Sequence, residues 1–206
     1  SPDVVVYGAT PGGVTAAISA ARAGRTVVLI EQSPWIGGMM TGGLAKTDVG
    51  GSKGEPLGGI TREFFERTRA REVALGACTD EYPCPIFHDF EPRVAAEIFR
   101  AMLAEQPRVS LQTSLPVTGL NRQGVRIASV TTARGEIAGQ VFVDASYEGD
   151  LMALAGVSHT TIREARLDPA GDDVDPALVE DDAGVGSFVP PFGFAVDPFI
   201  VPGVPG

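Results

Sequence analysis

The sequence predicts an α/β fold built on a parallel sheet, and three observations lead to that prediction. A short run of β-branched residues, Val4–Tyr7, is typical of a buried strand. An alanine-rich segment over residues 14–23 ends at Gly24 and indicates a helix. A second apolar run over 26–30 predicts another buried strand, so strand, helix and strand follow one another within about thirty residues, as parallel sheets require.

The later elements follow from changes in the apolar period. Two helices are predicted over 61–72, with Phe64 and Phe65 facing inward, and over 91–105. The glycine-dense stretch between the second strand and the first of these helices is too irregular to predict as a helix or strand. From 109 onward the period becomes two, with glycines in the turns, which predicts a β-meander crossover at about 109–140. Its strands are predicted over 109–113, 116–120, 126–132 and 137–143, and a short helix is predicted near 153–155.

Charge and hydropathy exclude several classes of partner. The 206 residues carry a formal net charge of −10, and clustered Lys and Arg are what a nucleic acid or an anionic membrane surface requires. No apolar run approaches the roughly 18 residues needed to cross a bilayer. We therefore expect a globular chain of one domain or slightly more, with no nucleic-acid or membrane partner.

The first motif that carries chemistry is the glycine-rich turn after the first strand, Gly8-Ala9-Thr10-Pro11-Gly12-Gly13. A strand, a glycine turn and a helix in this order form the dinucleotide-binding pattern, in which amides at the helix start hold a pyrophosphate. Gly8 is expected to allow the tight turn and Gly13 the close packing of helix on strand. Thr10 stands where the pattern has its second glycine, so its side chain must point away from the ligand.

A carboxylate follows at the place where a dinucleotide ribose is bound. Glu31 ends the second predicted strand, 23 residues after Gly8. An acid there accepts hydrogen bonds from ribose hydroxyls and repels a 2′-phosphate, which disfavours NADP.

Two further segments favour a flavin over a nicotinamide. Residues 35–44 contain two glycine pairs, and a flavin with its ribityl chain needs bare backbone to lie against. The predicted strand that ends near Asp144 is followed by the small residues Ala145 and Ser146, which let a nucleotide approach closely.

The sequence resembles the FAD-dependent oxidoreductase family of the glutathione-reductase-like superfamily. The resemblance lies in the order of these motifs, together with Phe90-Glu91-Pro92-Arg93 and the segment 141–151. Some of its members are known as xanthan-lyase-like proteins. The resemblance implies a Rossmann-type three-layer FAD-binding domain over 1–166, with FAD as the cofactor in an extended pose. It also implies that the acidic loop and Pro-rich tail over 167–206 lead to a substrate domain mostly absent from this chain.

We expect the cofactor to contact the glycine turn, the acid, the second glycine segment and the ends of later strands. These predicted contacts are Gly8, Thr10, Pro11, Gly12, Gly13, Glu31, Gln32, Gly37, Gly38, Met39, Thr41, Gly42, Gly43, Leu44, Val117, Ala145 and Ser146. The catalytic residue is not identified; the candidates are His88, Arg93 and Tyr147. For His88, a loop histidine bonded to Asp89 is the favoured interpretation, and for Tyr147 core packing is an equal alternative. For Arg93, pairing with Glu91 or Glu97 is an equal alternative, and no metal site is expected.

The predicted function is to bind FAD so that its ring accepts a hydride from an organic substrate, small or sugar-like. The alternatives are an NAD-binding dehydrogenase domain and a non-catalytic flavin-binding subunit of a larger complex. The apolar tail over 187–206 is expected to pack on a second polypeptide or a C-terminal half.

Because the first residue is Ser1, two localisations remain possible: secretion after removal of a signal peptide, and the cytoplasm. For Cys78 and Cys84, a disulfide and two free thiols also remain open.

Overall fold

The computed structural model describes residues 1–44, 57–79, 84 and 90–159, and residues Ser1–Val157 form one compact unit. The described residues form twelve elements in this order: β1 (Val4–Tyr7), α1 (Pro11–Arg22), β2 (Val27–Ile30), α2 (Gly38–Thr41), α3 (Gly59–Ala74), α4 (Pro92–Ala104), β3 (Val109–Gln112), β4 (Val117–Gln123), β5 (Arg126–Thr132), β6 (Gly135–Ala138), β7 (Val141–Asp144) and α5 (Asp150–Leu154). The predicted division at 166 and the tail over 187–206 lie outside the described residues.

The central sheet is parallel, with its strands in the order β3-β2-β1-β7. Tyr7 is paired with Ile30 on one side and with Asp144 on the other, and Ile30 is paired with Gln112. All four strands therefore end level at one edge. The chain leaves β1 toward β2 on one side and returns later to β7 on the other, which makes the β1/β7 boundary the switch point where α/β sheets bind ligands.

The sheet is covered on both faces, so the unit Ser1–Val157 has three layers. Alternate residues of β1 point to opposite faces, because the side-chain period of a strand is two. Val6 belongs to a buried cluster formed with α1, α3 and α4, whereas Val5 and Tyr7 belong to a second cluster formed with the antiparallel sheet β4-β5-β6. The predicted α/β architecture with a β-meander layer is confirmed.

Four phenylalanines anchor the helical layer. Phe64 stacks on Phe99 with ring centroids 4.3 Å apart, and meets Phe65 and Phe90 edge to face at 5.4 and 5.7 Å. All four rings are buried, and full burial of such a side chain contributes about 1.5–3 kcal/mol. The prediction that Phe64 and Phe65 face inward is confirmed, and the cluster fixes α3 against α4.

Two helices differ from the sequence prediction. The first begins at Pro11 instead of residue 14, because Thr10 caps it through a hydrogen bond from the Gly13 N–H and proline is tolerated at the first helical position. The stretch predicted to be irregular contains the four-residue helix α2. A helix this short has no intrinsic stability, and its apolar period is too brief to detect.

Two strand assignments are also corrected. The strand predicted at 109–113 as the start of the meander is β3, which pairs with β2 in the parallel sheet. The strand predicted over 137–143 is two strands, since the chain leaves the meander after Ala138 and enters the parallel sheet at Val141. The alternating pattern continues through both, so periodicity alone does not separate them. Gly139 lies at the crossing, where a Cβ atom would approach Val5 Cγ2 to 2.7 Å.

The two cysteines form a disulfide, Cys78–Cys84, which decides between the two alternatives left by the sequence. Among the described residues, the Glu72 carboxylate and both sulfurs lie within 4.8 Å of one another. Since both sulfurs belong to the disulfide, the carboxylate is the single remaining ligand there, and it accepts a hydrogen bond from the Glu91 N–H at 2.8 Å. None of the helices that the structure describes has the length and apolar character that crossing a bilayer demands.

Candidate cofactor-binding site

A cavity of about 710 Å³ opens at the edge of the sheet where β1, β2 and β7 end. Its position follows from the level strand ends, which bring three separate segments together: the β1–α1 turn, the segment 31–42 that includes α2, and the loop 146–150. The described residues of its lining are Tyr7, Gly8, Thr10, Glu31, Gln32, Ser33, Trp35, Gly38, Thr41, Gly42, Ser146, Tyr147, Glu148 and Asp150.

The β1–α1 turn is packed backbone against backbone. Gly8 has φ +94°, and a Cβ atom there would lie 2.7 Å from the backbone of Ala145 and Ser146. A Cβ atom at Gly13 would lie 1.9 Å from the Gly8 carbonyl oxygen. Only glycine fits at either place, which is the geometry predicted for the tight turn and for the contact between helix and strand.

Thr10, which departs from the glycine pattern, is bound within the protein. Its hydroxyl donates to the Ala145 carbonyl at 2.8 Å and accepts the Gly13 N–H at 3.2 Å. The side chain is 8% exposed, so these bonds draw it toward the end of β7. The turn therefore keeps its shape without a glycine at this position.

Glu31 braces the same turn from the β2 side. One carboxylate oxygen accepts the Ala9 N–H at 2.8 Å and the other accepts the Ser33 N–H at 2.9 Å. A carboxylate has about four acceptor sites, so each oxygen keeps capacity for a further donor. The arrangement can accept hydrogen bonds from a pair of hydroxyls while it stays fixed to the backbone.

Residues 37–42, here named the α2 wall, contribute a second side of the cavity and bond directly to the turn. The Gly37 N–H donates to the Ala9 carbonyl at 2.6 Å, and a Cβ atom at Gly37 would lie 2.8 Å from Phe99. Gly38 lies in the cavity lining beside Tyr147, whose hydroxyl accepts the Met39 N–H at 2.8 Å. The first glycine pair of this segment, Gly37 and Gly38, thus lets a short helix sit between α4 and the loop after β7.

The loop after β7 is organised by Asp144. One carboxylate oxygen accepts both the N–H and the hydroxyl of Ser146, at 3.0 and 2.6 Å. The other accepts the Met152 N–H at 2.7 Å, and the Ser146 hydroxyl accepts the Asp150 N–H at 2.9 Å. These bonds hold both ends of the loop that carries Tyr147 and Glu148 into the cavity.

The cavity brings together eight of the seventeen predicted contacts: Gly8, Thr10, Glu31, Gln32, Gly38, Thr41, Gly42 and Ser146. The other nine lie outside the described lining: Pro11, Gly12, Gly13, Gly37, Met39, Gly43, Leu44, Val117 and Ala145. Most of these are immediate neighbours of lining residues. Val117 lies on β4 and belongs to the buried cluster that contains Tyr7.

The three catalytic candidates have different positions. Tyr147 lines the cavity, whereas Arg93 is exposed and pairs with Glu91 through bonds of 3.0 and 3.2 Å. That pairing raises the pKa of the Arg93 guanidinium. His88 lies outside the described residues.

Six lining residues are not among the predicted contacts: Tyr147, which is predicted only as a catalytic candidate, and Tyr7, Ser33, Trp35, Glu148 and Asp150. Tyr7 could have been predicted from the sequence, because it is the last residue of a parallel strand and ligands bind at the carboxyl ends of such strands. Glu148 and Asp150 stand directly after the predicted strand end, but their approach to the cavity depends on the Asp144 bonds, which no local pattern reveals.

The electrostatics of the lining are acidic. Glu31, Glu148 and Asp150 contribute carboxylates, and the described lining contains no Lys or Arg. Burial raises the pKa of the Tyr7 phenol, and the charges of Asp150 and Glu31 raise it further. A phosphate bound here must therefore rely on backbone N–H groups such as those at the start of α1.

The closely packed glycines Gly8 and Gly13, these backbone N–H groups and Glu31 fit a dinucleotide, and a cavity of this volume suits a large cofactor.

Comparison with known proteins agrees with a dinucleotide-binding site. The sequence model of a family described as FAD dependent oxidoreductase matches residues 3–185. Digeranylgeranylglycerophospholipid reductase 2 of Methanothermobacter thermautotrophicus is 28% identical over 203 residues, which cover 86% of this chain and 49% of the reductase. The chain thus spans about half the length of that relative.

Two solved structures share the fold. L-proline dehydrogenase from P. horikoshii superposes with a TM-score of 0.55 at 17% identity, over 78% of this chain and 57% of that one. Glycerol-3-phosphate dehydrogenase from Bacillus halodurans, complexed with FAD, gives 0.51 at 13% identity, over 77% of this chain and 37% of that one. The chain is a dinucleotide-binding α/β unit. It belongs to the FAD dependent oxidoreductase family, and its cofactor is FAD.

Proposed function

We propose that FAD lies in the cavity at the carboxyl ends of β1, β2 and β7, and that the complete protein oxidises a small organic substrate. The observation that carries the proposal is the β1–α1 turn, where Gly8 and Gly13 leave no space for a side chain and Glu31 braces Ala9. Bound FAD supplies a ring that accepts a hydride equivalent from such a substrate.

The residues of this chain have separate roles in holding the cofactor. The start of α1 offers the helix dipole and the Gly12 N–H to the pyrophosphate, because Pro11 has no N–H and the Gly13 N–H donates to Thr10. Glu31 offers its remaining acceptor capacity to ribose hydroxyls. The acidic lining disfavours ligands with additional phosphates, such as NADP, through charge repulsion. This arrangement, with the family membership, favours FAD over the NAD alternative.

The first test is an absorption spectrum of the purified full-length protein, recorded before and after acid precipitation. We expect flavin bands before precipitation, and their division between pellet and supernatant distinguishes covalent from non-covalent attachment. A colourless protein that takes up no added FAD would contradict the proposal. Flavin retained without reduction by any small organic substrate would favour the non-catalytic flavin-binding alternative.

A substitution localises the site. Glu31→Gln keeps the side-chain size but replaces one acceptor oxygen by a donor, which then faces an N–H group. Hydrogen bonds to charged groups contribute about 1.5–3 kcal/mol, so we expect the FAD dissociation constant to rise by about tenfold or more. Glu97→Gln is the matched control, because Glu97 lies on α4 and pairs with Arg71 outside the described cavity lining. Equal FAD affinities for the two variants would place the cofactor elsewhere.

A further inference from the structure

We propose that Tyr147 is a positioning residue whose hydroxyl holds the start of α2 against the loop after β7, and thereby fixes the α2 wall of the cavity for FAD. The inference rests on the proposed function, since it concerns the same cavity. It assigns Tyr147 a role other than that of a proton donor or acceptor in catalysis.

The first observation is an unusual cap on α2. The initial N–H groups of any helix lack partners within the helix, and the N-cap residue here, Gly37, has no side chain to supply one. The Tyr147 hydroxyl accepts the Met39 N–H at 2.8 Å from a loop 108 residues away in sequence. A four-residue helix has little stability of its own, so an acceptor from outside the helix contributes a large share of what fixes it.

The second observation is the close fit between Gly38 and the phenol. A Cβ atom at Gly38 would lie 2.1 Å from the Tyr147 hydroxyl oxygen and 2.8 Å from Cζ, and the residue has φ +51°. The ring therefore rests directly on bare backbone at the first residue of α2. Both residues line the cavity, so the position of the ring and the position of this wall are set together.

The third observation is that the loop behind Tyr147 is itself held. Asp144 accepts the Met152 N–H and Ser146 accepts the Asp150 N–H, and these bonds anchor the loop to the end of β7 and to the start of α5. Tyr147 is 55% exposed, so burial does not explain its placement. The bonded loop and the bond to Met39 do explain it.

The chemistry of the phenol suits this place. A hydroxyl that accepts one N–H keeps its own O–H to donate. Tyr147 thus adds a hydroxyl donor to a lining that also carries three carboxylates. The hydroxyl can donate a hydrogen bond toward the anionic cofactor that the proposed function requires.

The test uses the full-length protein with Tyr147→Phe, which removes the hydroxyl and keeps the ring. A single hydrogen bond contributes about 0.5–1.5 kcal/mol, so we expect amide exchange at Met39 in the FAD-free protein to accelerate by about two- to twelvefold. We expect the FAD dissociation constant to rise by a similar factor and the visible circular dichroism of the bound flavin to change. Thr68→Val is the control, because it removes a buried hydroxyl that bonds the Phe64 carbonyl within α3. It is expected to lower the melting temperature and leave the FAD affinity and flavin spectrum unchanged.

The outcomes separate this inference from the function it rests on. If the unaltered protein binds FAD and Tyr147→Phe matches it in affinity and flavin spectrum, the positioning role is wrong, whether or not amide exchange has changed. If Thr68→Val weakens FAD as much as Tyr147→Phe does, the effect is general destabilisation and the inference also fails. If the unaltered protein does not bind FAD, the proposed function fails first and the inference falls with it.

Discussion

The two walls of the cavity are built in different ways. The β1–α1 turn is fixed by exclusion, because glycine backbone at Gly8 and Gly13 packs so closely that no side-chain atom fits. The α2 wall also has closely packed glycines, but the neighbours of Gly37 and Gly38 are side chains. This wall and the loop after β7 are attached in addition by the side chains of Tyr147 and Asp144, which accept hydrogen bonds from backbone N–H groups. Adding a single carbon should therefore break the first wall, whereas removing a polar atom should loosen the second.

The contrast also matters for ligand binding. Close packing of backbone leaves the first wall with one arrangement, which suits a phosphate site made of N–H groups. A wall held by a few partly exposed hydrogen bonds opens at lower free energy. The second wall is thus the side on which we expect the cavity to adjust when FAD enters.

Gly13→Ala should give the largest effect. Its Cβ atom would lie 1.9 Å from the Gly8 carbonyl oxygen, and neither backbone can move without disturbing β1 or α1. Overpacking of this kind costs about 1–3 kcal/mol, and we expect the upper end of that range in the free energy of unfolding, measured by urea denaturation.

Gly12→Ala is the control for that substitution. A Cβ atom at Gly12 would have Thr10 Oγ1 as its nearest neighbour, at an ordinary 3.7 Å, and alanine favours the helix. We expect a change within about 1 kcal/mol, toward higher stability. Equal losses in the two variants would show that the first wall is not fixed by exclusion.

Asp144→Ala should have the next largest effect and should act on the second wall. It removes the acceptor for the N–H and hydroxyl of Ser146 and for the Met152 N–H. Bonds to a charged group contribute about 1.5–3 kcal/mol each when buried, and since this loop is partly exposed we expect a total loss near 2 kcal/mol. Hydrogen exchange over 146–152 measures where the loss occurs.

Asp144→Asn refines the same prediction. The amide keeps one acceptor oxygen and presents N–H atoms to the other donors, so its effect should fall between those of the unaltered protein and Asp144→Ala. Exchange that accelerates across β1 and α1 as strongly as across the loop would mean that the walls are not independent.

The sequence predicted both the turn and the helix of the first wall, whereas for the second wall it predicted contact residues such as Gly38 and Thr41 but not the helix α2 that carries them, and the reason is physical. The turn after β1 is specified by neighbouring residues: a buried strand, glycines at fixed spacing, a capping Thr10 and a proline at the helix start. Helix α2 depends instead on Tyr147 and on packing against Phe99, contacts between residues far apart in the chain. No period within four residues indicates such a helix.

The strand boundaries show the same limit of local sequence patterns. Alternation over 137–143 is a local signal and correctly indicated extended chain, but it does not say that the chain changes sheets near Gly139. Cys78 and Cys84 are close in sequence, yet spacing alone left their bonding open, and the structure joins them. Local chemistry thus predicts which element forms, whereas the partner of each element depends on tertiary packing.

The smallest effect should come from Glu63, which lies in the helical layer away from both walls. Its carboxylate accepts two bonds from Arg22 on α1, at 2.7 and 2.9 Å, and one from Arg67 on α3 at 2.7 Å. Chiefly through the bond with Arg22, these partners lower the pKa of Glu63 below its ordinary value of 4.5. The ionised form is favoured in the folded state, so its contribution is complete above pH 4.5 and is lost as the pH falls through the lowered pKa.

We therefore expect Glu63→Gln to reduce the free energy of unfolding at pH 7 by less than about 1 kcal/mol, since partly exposed ion pairs are screened by solvent. The difference from the unaltered protein should shrink toward zero when urea denaturation is repeated below pH 4.5.

Glu66→Gln on the same helix is the control, because its i,i+4 pair with Arg62 is half exposed at both ends and should contribute less to the free energy of unfolding. Neither variant should alter FAD affinity, because the ion pairs hold helices together and neither glutamate belongs to the described cavity lining. A loss of FAD binding in Glu63→Gln would mean that the helical layer sets the shape of the cavity, and the contrast between the two walls would then be incomplete.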